Sequence, residues 1–449
     1  MTSKKYLYWI TFVAINGGFL FGLNIAGISG ANAMIKSEFG LTDSALGTVA
    51  ALLTIGALVG ALFSGRFADL YGRKKVMVAS AVLYTLSALV CAFTTNIFFL
   101  DAGRVLSGIA VGITSVIAPM YISEISPAKS RGTMVSLNQF AITIGILLAY
   151  VFDYFLIGLG NDSWRYMLGI PAVFGLIFLI LLFMSFPESP RWLLAKGKKD
   201  NALLVLLKVG GETSVKEDLP AIEFSLNQEK DKERVSLTEL FKGKTGRVVL
   251  IATVLAAAQQ ITGVNAVLIY APDIFQAAGS MKEGAMFQSV ILGLINFLMT
   301  IVALWLIDSQ GRKTLLLWGA AGMAVSLGYL TYEFSKPSQN AFSVLIALLT
   351  YVSFFAASLA PVMWVVISEI YPSRIRGVAM SFSTAICWLC CFLTIQFAPV
   401  IRAELGTTWM FAVFTGFCVL TFLFVIKWIP ETKGKSLEQI ESEFISSGV

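Results

Sequence analysis

Long apolar runs separated by short polar turns fill this chain, and polar residues inside the runs are few and mostly uncharged. About twelve runs approach the roughly 17 to 25 residues that cross a hydrocarbon core. They lie at roughly 8-30, 48-66, 76-93, 98-122, 131-155, 166-187, 247-276, 287-308, 313-333, 342-368, 376-398 and 408-429. Pro187 to Arg247 breaks the series. Leu203, Leu204, Leu206 and Leu207, then Leu219, Ile222 and Phe224, recur there at helical spacing and predict short amphipathic helices. Ser436 to Phe444 reads the same way. The pattern predicts an all-α integral membrane protein with two six-helix halves, 1-187 and 247-429. A helical linker, 188-246, joins them, and a short tail, 430-449, follows.

Composition supports that division of surface. The chain is 57% hydrophobic and 13% charged, whereas soluble domains carry about 25% charge; lipid is therefore the expected solvent. Arg66, Arg73, Lys74, Lys75, Lys129, Arg131, Arg312, Lys313, Arg374 and Arg376 fall in connections on the side of the termini. Lys36, Arg165, Lys282, Lys336 and Arg402 fall on the other. Basic residues collect on the cytoplasmic side, which predicts cytoplasmic termini in a multi-pass inner (plasma) membrane protein. The net charge of +6 is then topological and predicts no nucleic-acid partner. Lys4 and Lys5 precede an apolar run without a clear cleavage site, so a retained first helix is expected.

Two sequence frames occur twice. Ser123 to Gly132 and Ser368 to Gly377 share S-E-I-x-P-x-x-x-R-G, and Gly65 to Lys75 is echoed by Ile307 to Lys313. Repeats at matching turn points indicate related membrane halves. Glycines crowd the first and fourth runs, where close helix contact is expected.

Candidate chemistry is neutral. There is no phosphate-cradling loop, no dinucleotide fingerprint and no histidine, so neither an enzyme nor a cofactor is expected. Cys387, Cys390 and Cys391 lie in an apolar helix and read as packing residues, not metal ligands. Amides stand out instead: Asn24, Gln139, Gln259, Gln260, Asn265 and Asn296 sit in the runs. Each offers donor and acceptor, matching the hydroxyls of a neutral polyol, while Trp364 and Trp388 offer faces for a ring. Helix-helix hydrogen bonding is the plainer reading of any one amide. In a straight helix Asn265 would stand about 140° from Gln260; Thr262-Gly263 between them invites a break that lets both reach one cavity.

GRFADLYGRKK at 65-75, GRVLSG at 103-108, the doubled SEI-x-P frame, PESPRW at 187-192, QQITGVNAVLIY at 259-270 and PETKGKS at 430-436 together resemble the sugar porter branch of the major facilitator superfamily. The resemblance covers essentially the whole chain and is nearest to bacterial glucose or xylose porters and animal glucose facilitators. It implies a major facilitator fold in which Gln139, Gln259, Gln260, Asn265, Asn296 and Trp364 bind a monosaccharide and Trp388 lines the cavity. Tyr270 helps close the outer gate, and Pro361 lies in a flexible part of the tenth helix. Asp69, Arg73, Glu124 and Arg131, with Asp308, Arg312, Glu369 and Arg376, form cytoplasmic latches.

Departures from that family carry information. Gly22-Leu23-Asn24 replaces the Gly-Tyr-Asp of proton-coupled relatives, while Arg104, the usual partner of that aspartate, remains. Asparagine cannot carry a proton, and the other spans show no obvious carboxylate to replace it; Asp101, near the outer surface, is the nearest candidate. Ile146 resembles glucose facilitators, so glucose leads xylose. The expectation is a monomeric glucose facilitator working by alternating access, with lipid and sugar as its partners. A proton-coupled glucose or xylose symporter is the alternative. A transporter-like sensor is disfavoured by the 20 residues after 429.

Overall fold

The computed structural model describes residues 3–127, 130–230, 240–241, 243–371 and 375–433. The expected helix at Ser436 to Phe444 lies outside them, as does the side chain of Asp308. Among the described residues, 12 helices are long and apolar enough to span a membrane. The first six are Lys4–Ala26, Asp43–Tyr71, Arg73–Phe93, Ile97–Ile125, Arg131–Leu159 and Ser163–Ser185. The second six are Thr245–Ile269, Lys282–Ile307, Arg312–Ser335, Ala341–Ile370, Arg376–Glu404 and Thr407–Trp428. Several start earlier than hydropathy suggests, because a helix satisfies its own backbone and can continue through charged residues such as Arg73 and Arg312.

The chain divides into two compact units. One comprises Met1–Ile25, Gly56–Ile146 and Leu168–Arg234; the other comprises Ala26–Ile55, Leu147–Met167 and Val235–Val449.

In the first unit, glycine allows backbones to touch. A Cβ on Gly22 would strike the carbonyl of Ile142, and one on Gly145 would strike that of Phe19, so the first and fifth spans cross without side chains between them. The linker contributes the helix Pro190–Ala195, whose Ser189 side chain accepts the Trp192 N–H and whose first residue is proline. It continues as Lys199–Lys230, interrupted at Gly211, where φ is 70°. The buried stripe is Ala202, Val205, Leu206 and Val209; Leu204 and Leu207 face out, so only part of the expected apolar face is covered.

The second unit holds two broken spans. In the seventh, Gly243–Ile261 ends, Gly263 turns at φ 96°, and Val264–Ile269 resumes. In the tenth, Ala341–Ala357 gives way at Ser358 to Leu359–Ile370. That break comes before Pro361, whose missing N–H then falls in a first helical turn where it costs nothing. Breaks at membrane depth must satisfy their exposed carbonyls inside the protein. The Tyr351 hydroxyl of the tenth span donates to the Thr262 carbonyl at the seventh-span break, 2.9 Å away.

The first span ends sooner than expected. Residues 27–31 form a turn before the short helix Asn32–Glu38. Gly30 donates its N–H to Asp153 at 2.9 Å, and an added Cβ would lie only 2.8 Å from that carboxyl group, so the approach requires glycine.

Candidate functional site: an amide chain at two helix breaks

The break at Gly263 does what the sequence invited. It brings Asn265 Nδ2 within 2.6 Å of Gln260 Oε1. Gln260 Nε2 lies 3.1 Å from Gln259 Oε1. Gln259 Nε2 donates in turn to the Leu359 and Ala360 carbonyls at the start of the second tenth-span segment, both at 3.1 Å. Two cysteines of the eleventh span complete the group. Cys387 Sγ is 3.4 Å from Gln260 Nε2 and Cys391 Sγ is 3.2 Å from Asn265 Nδ2. Cysteines read as packing therefore also serve as acceptors, a role that amide positions on another span create and that cysteine spacing does not reveal.

The other expected binding residues sit on the fifth, eighth, tenth and eleventh spans. Asn296 is buried on the eighth span, Trp364 is half-buried on the tenth and Trp388 is buried on the eleventh. Pro361 follows Ala360 directly. Gln139, half-buried on the fifth span, belongs to the first unit. Tyr270 is buried and donates to the Ile395 carbonyl at 3.2 Å.

The short helix Val264–Ile269 exposes carbonyls at its end. Tyr150 donates to Leu268 at 2.6 Å, and Asn32 Nδ2 to Ile269 at 3.0 Å. Beside it, Asp273 Oδ2 is buried with no hydrogen-bond partner among the described residues. Burial pushes the Asp273 carboxyl above the usual carboxylate range; Arg402, the Asn32 side chain and Lys36 offset part of the rise, while Asp43 adds to it.

Position 24 is a closed arrangement. Asn24 Nδ2 donates to the Leu20 carbonyl at 2.8 Å, and its Oδ1 accepts the Ser107 hydroxyl at 2.6 Å. Buried Arg104 donates to the Asn24 carbonyl at 3.2 Å. Arg104 thus meets position 24 through the backbone oxygen and not through the side chain that replaces the family's aspartate. The expectation that no other span holds a buried carboxylate is corrected: Asp153 on the fifth span is 1% exposed and makes no ion pair among the described residues. The sequence reading did not single out Asp153, whose carboxylate receives the Gly30 N–H from 123 residues away. Asp101 is half-buried, with Oδ1 lacking a hydrogen-bond partner among the described residues.

Five of the expected latch residues pair, each within its own unit. In the first, Arg73 grips Glu124 through two bonds of 2.8 and 3.0 Å, with both side chains under 10% exposed, and reaches exposed Asp69 at 3.1 Å. In the second, Arg312 meets Glu369 at 3.2 Å, and Thr432 donates its hydroxyl to Glu369. Arg131 is exposed, and Arg376 donates to the Tyr371 carbonyl at 3.1 Å.

Two further carboxylates escaped the sequence reading although both sit in quoted motifs. Glu188 accepts the N–H of Arg73 at 2.8 Å, and Glu431 accepts that of Arg312 at 2.9 Å. Pro187-Glu188-Ser189 and Pro430-Glu431-Thr432 are a third repeated frame, which was the available signal. Burial raises the Glu188 carboxyl above its ordinary range against the pull of N–H groups from Ser189, Lys74 and Arg73. At Glu431 burial acts the same way, but N–H groups from Lys433, Arg312, Lys313 and Thr314 outweigh it and hold the carboxyl below that range.

Twelve spans, a doubled charged frame and a neutral polar cluster at two helix breaks define a membrane carrier for an uncharged polar solute. The family description "Sugar (and other) transporter" matches residues 10–444, and the chain belongs to that family. The D-xylose-proton symporter of Escherichia coli (strain K12) is 35% identical over 98% of this chain and 96% of its own length. The glucose transporter GlcP of Staphylococcus epidermidis is 36% identical over 99% and 98%. The solved inward-open structure of the xylose transporter XylE from E. coli superposes with a TM-score of 0.86 at 33% identity, covering 97% of this chain and 99% of that one. The protein is thus a multi-pass sugar transporter of the major facilitator superfamily, not an enzyme.

Proposed function

We propose that this transporter is a proton-coupled monosaccharide symporter that works by alternating access, with glucose ahead of xylose. Its termini are cytoplasmic, its membrane is the plasma membrane and its working unit is a monomer. The observation that carries the coupling is the end-to-end similarity to a relative named as a D-xylose-proton symporter. The sugar assignment rests on the amide chain at the seventh-span and tenth-span breaks, a neutral surface suited to hydroxyls. Gln139, Asn296, Trp364 and Trp388 complete the sugar site, Tyr270 and Pro361 serve the gate, and the ion pairs around Arg73 and Arg312 bias its cycle.

Asn24 favours a second reading, facilitated diffusion, which was the first expectation from sequence. An amide bonded to Ser107 and Leu20 cannot exchange a proton. Symport therefore needs another titratable group, and Asp153, a buried carboxylate with no ion pair among the described residues, is assigned that role. Purified protein in liposomes, given labelled glucose or xylose and an imposed pH gradient, separates the two. Uphill uptake driven by the gradient is the symport outcome, abolished by Asp153→Asn. Downhill flux alone establishes facilitation, and Asn24→Asp then tests whether a carboxylate at that position confers accumulation.

A further inference from the structure

We infer that Gln260 and Asn265 present their substrate with acceptor oxygens only, in a direction fixed by Gln259, and that Cys387 and Cys391 enforce this polarity by occupying the remaining amide hydrogens. The inference rests on the sugar-site reading above and concerns which way the hydrogen bonds to the sugar point.

Two backbone carbonyls fix the direction. Leu359 and Ala360 can only accept, so the nitrogen of Gln259 must face them. Its Oε1 is thereby turned toward Gln260, which must answer with nitrogen. Gln260 Oε1 then faces Asn265, which must also answer with nitrogen. No member can flip without setting two acceptors against each other.

An amide nitrogen has two hydrogens. Those of Gln259 go to the two carbonyls, and its Oε1 accepts from Gln260 Nε2 and, at 3.8 Å, from the Cys387 thiol. Gln260 spends one on Gln259 Oε1 and one on Cys387 Sγ. Asn265 spends one on Gln260 Oε1 and one on Cys391 Sγ. The oxygen of Asn265 and the second lone pair of Gln260 Oε1 remain for a ligand. A hydroxyl meeting this surface must donate. The sulfur bonds are the weak members of the set, since thiols are poor acceptors. They are therefore the points at which the polarity can be changed.

Deoxy and deoxyfluoro sugars read the direction. Fluorine keeps an acceptor and loses the donor; hydrogen in its place loses both. The informative ring position is the one whose deoxy penalty disappears in Asn265→Ala, with affinity measured by competition against labelled glucose exchange in proteoliposomes. At that position the fluoro and deoxy analogues should both bind about tenfold more weakly than glucose in the unaltered protein, the size of one hydrogen bond. They should agree with each other within about twofold. Cys391→Ala frees an Asn265 N–H, and the fluoro analogue should then bind several-fold better than the deoxy one. Cys391→Ser keeps an acceptor there and should restore the original ratio, with the parallel pattern at Cys387.

The ratio is taken within each variant, so a reduced folded fraction does not alter it. A fluoro analogue that already binds near glucose strength in the unaltered protein overturns the inference, as does a ratio unmoved by both cysteine-to-alanine changes. If no position loses its deoxy penalty in Asn265→Ala, the sugar-site reading itself fails.

Discussion

Glu431 accepts the backbone N–H of Arg312 at 2.9 Å, as Glu188 accepts that of Arg73 at 2.8 Å. Each carboxylate closes the start of a span that follows a glycine of positive φ, Gly311 at 90° and Gly72 at 96°. A Cβ on either glycine would collide with the same carboxylate, so the backbone turn and the cap form one unit.

Replacing these carboxylates with glutamine should cost about 0.5–2 kcal/mol each, the range for a lost helix cap. The pH dependence should have opposite signs. The Glu431 carboxyl is held below its ordinary range, so its contribution is present above the unfolded value and lost as pH falls through the folded one. The Glu188 carboxyl is raised, so its contribution is present at low pH and lost as pH rises through the folded value. Thermal unfolding of E188Q and E431Q against the unaltered protein, from about pH 4 to 7, checks both signs.

The two arginine pairs should differ in cost. Glu124→Ala leaves Arg73 buried without its main partner, a loss of about 3–5 kcal/mol. Glu369→Ala exposes a shallower pair and should cost about 1 kcal/mol or less. The second change should slow transport while leaving sugar binding largely intact, measured as exchange rate against equilibrium binding. Lost binding with unchanged cycling would sink the latch assignment.

Gly263→Ala places a Cβ 2.6 Å from the Phe414 ring and forces alanine into a left-handed backbone. A cost of about 1–2 kcal/mol is expected from the backbone alone. Because the break aligns Asn265 with Gln260, sugar affinity should fall more than expression does. Calorimetric binding alongside folded yield distinguishes the two effects.

Asp273→Asn should remove a pH effect. With its carboxyl raised by burial, Asp273 adds stability below the unfolded value, about 3.9, and loses it as pH rises through the folded value. The unaltered protein should therefore lose thermal stability relative to D273N across that interval. A constant difference between them would contradict the role of Asp273.

Much of the architecture was legible because lipid imposes a long apolar run on every span and glycine marks where a helix can turn. Thr262-Gly263 announced the seventh-span break in this way. The tenth-span break was harder: proline suggested Pro361, whereas the backbone departs at Ser358 and leaves the proline in the next first turn. What stayed hidden was made by approach across long sequence distances. Nothing near Asp153 in sequence reports Gly30, and nothing near Cys391 reports Asn265. Glu188 was quoted within a motif, yet its partner Arg73 stands on another span.

The two broken helices exchange bonds in both directions. Tyr351 of the tenth span holds the Thr262 carbonyl at the seventh-span break, and Gln259 of the seventh span holds carbonyls just past the tenth-span break. Bending either joint would strain the bond it supplies to the other, so the two breaks are tied together like meshed teeth. Loosening one joint should surrender the timing of both.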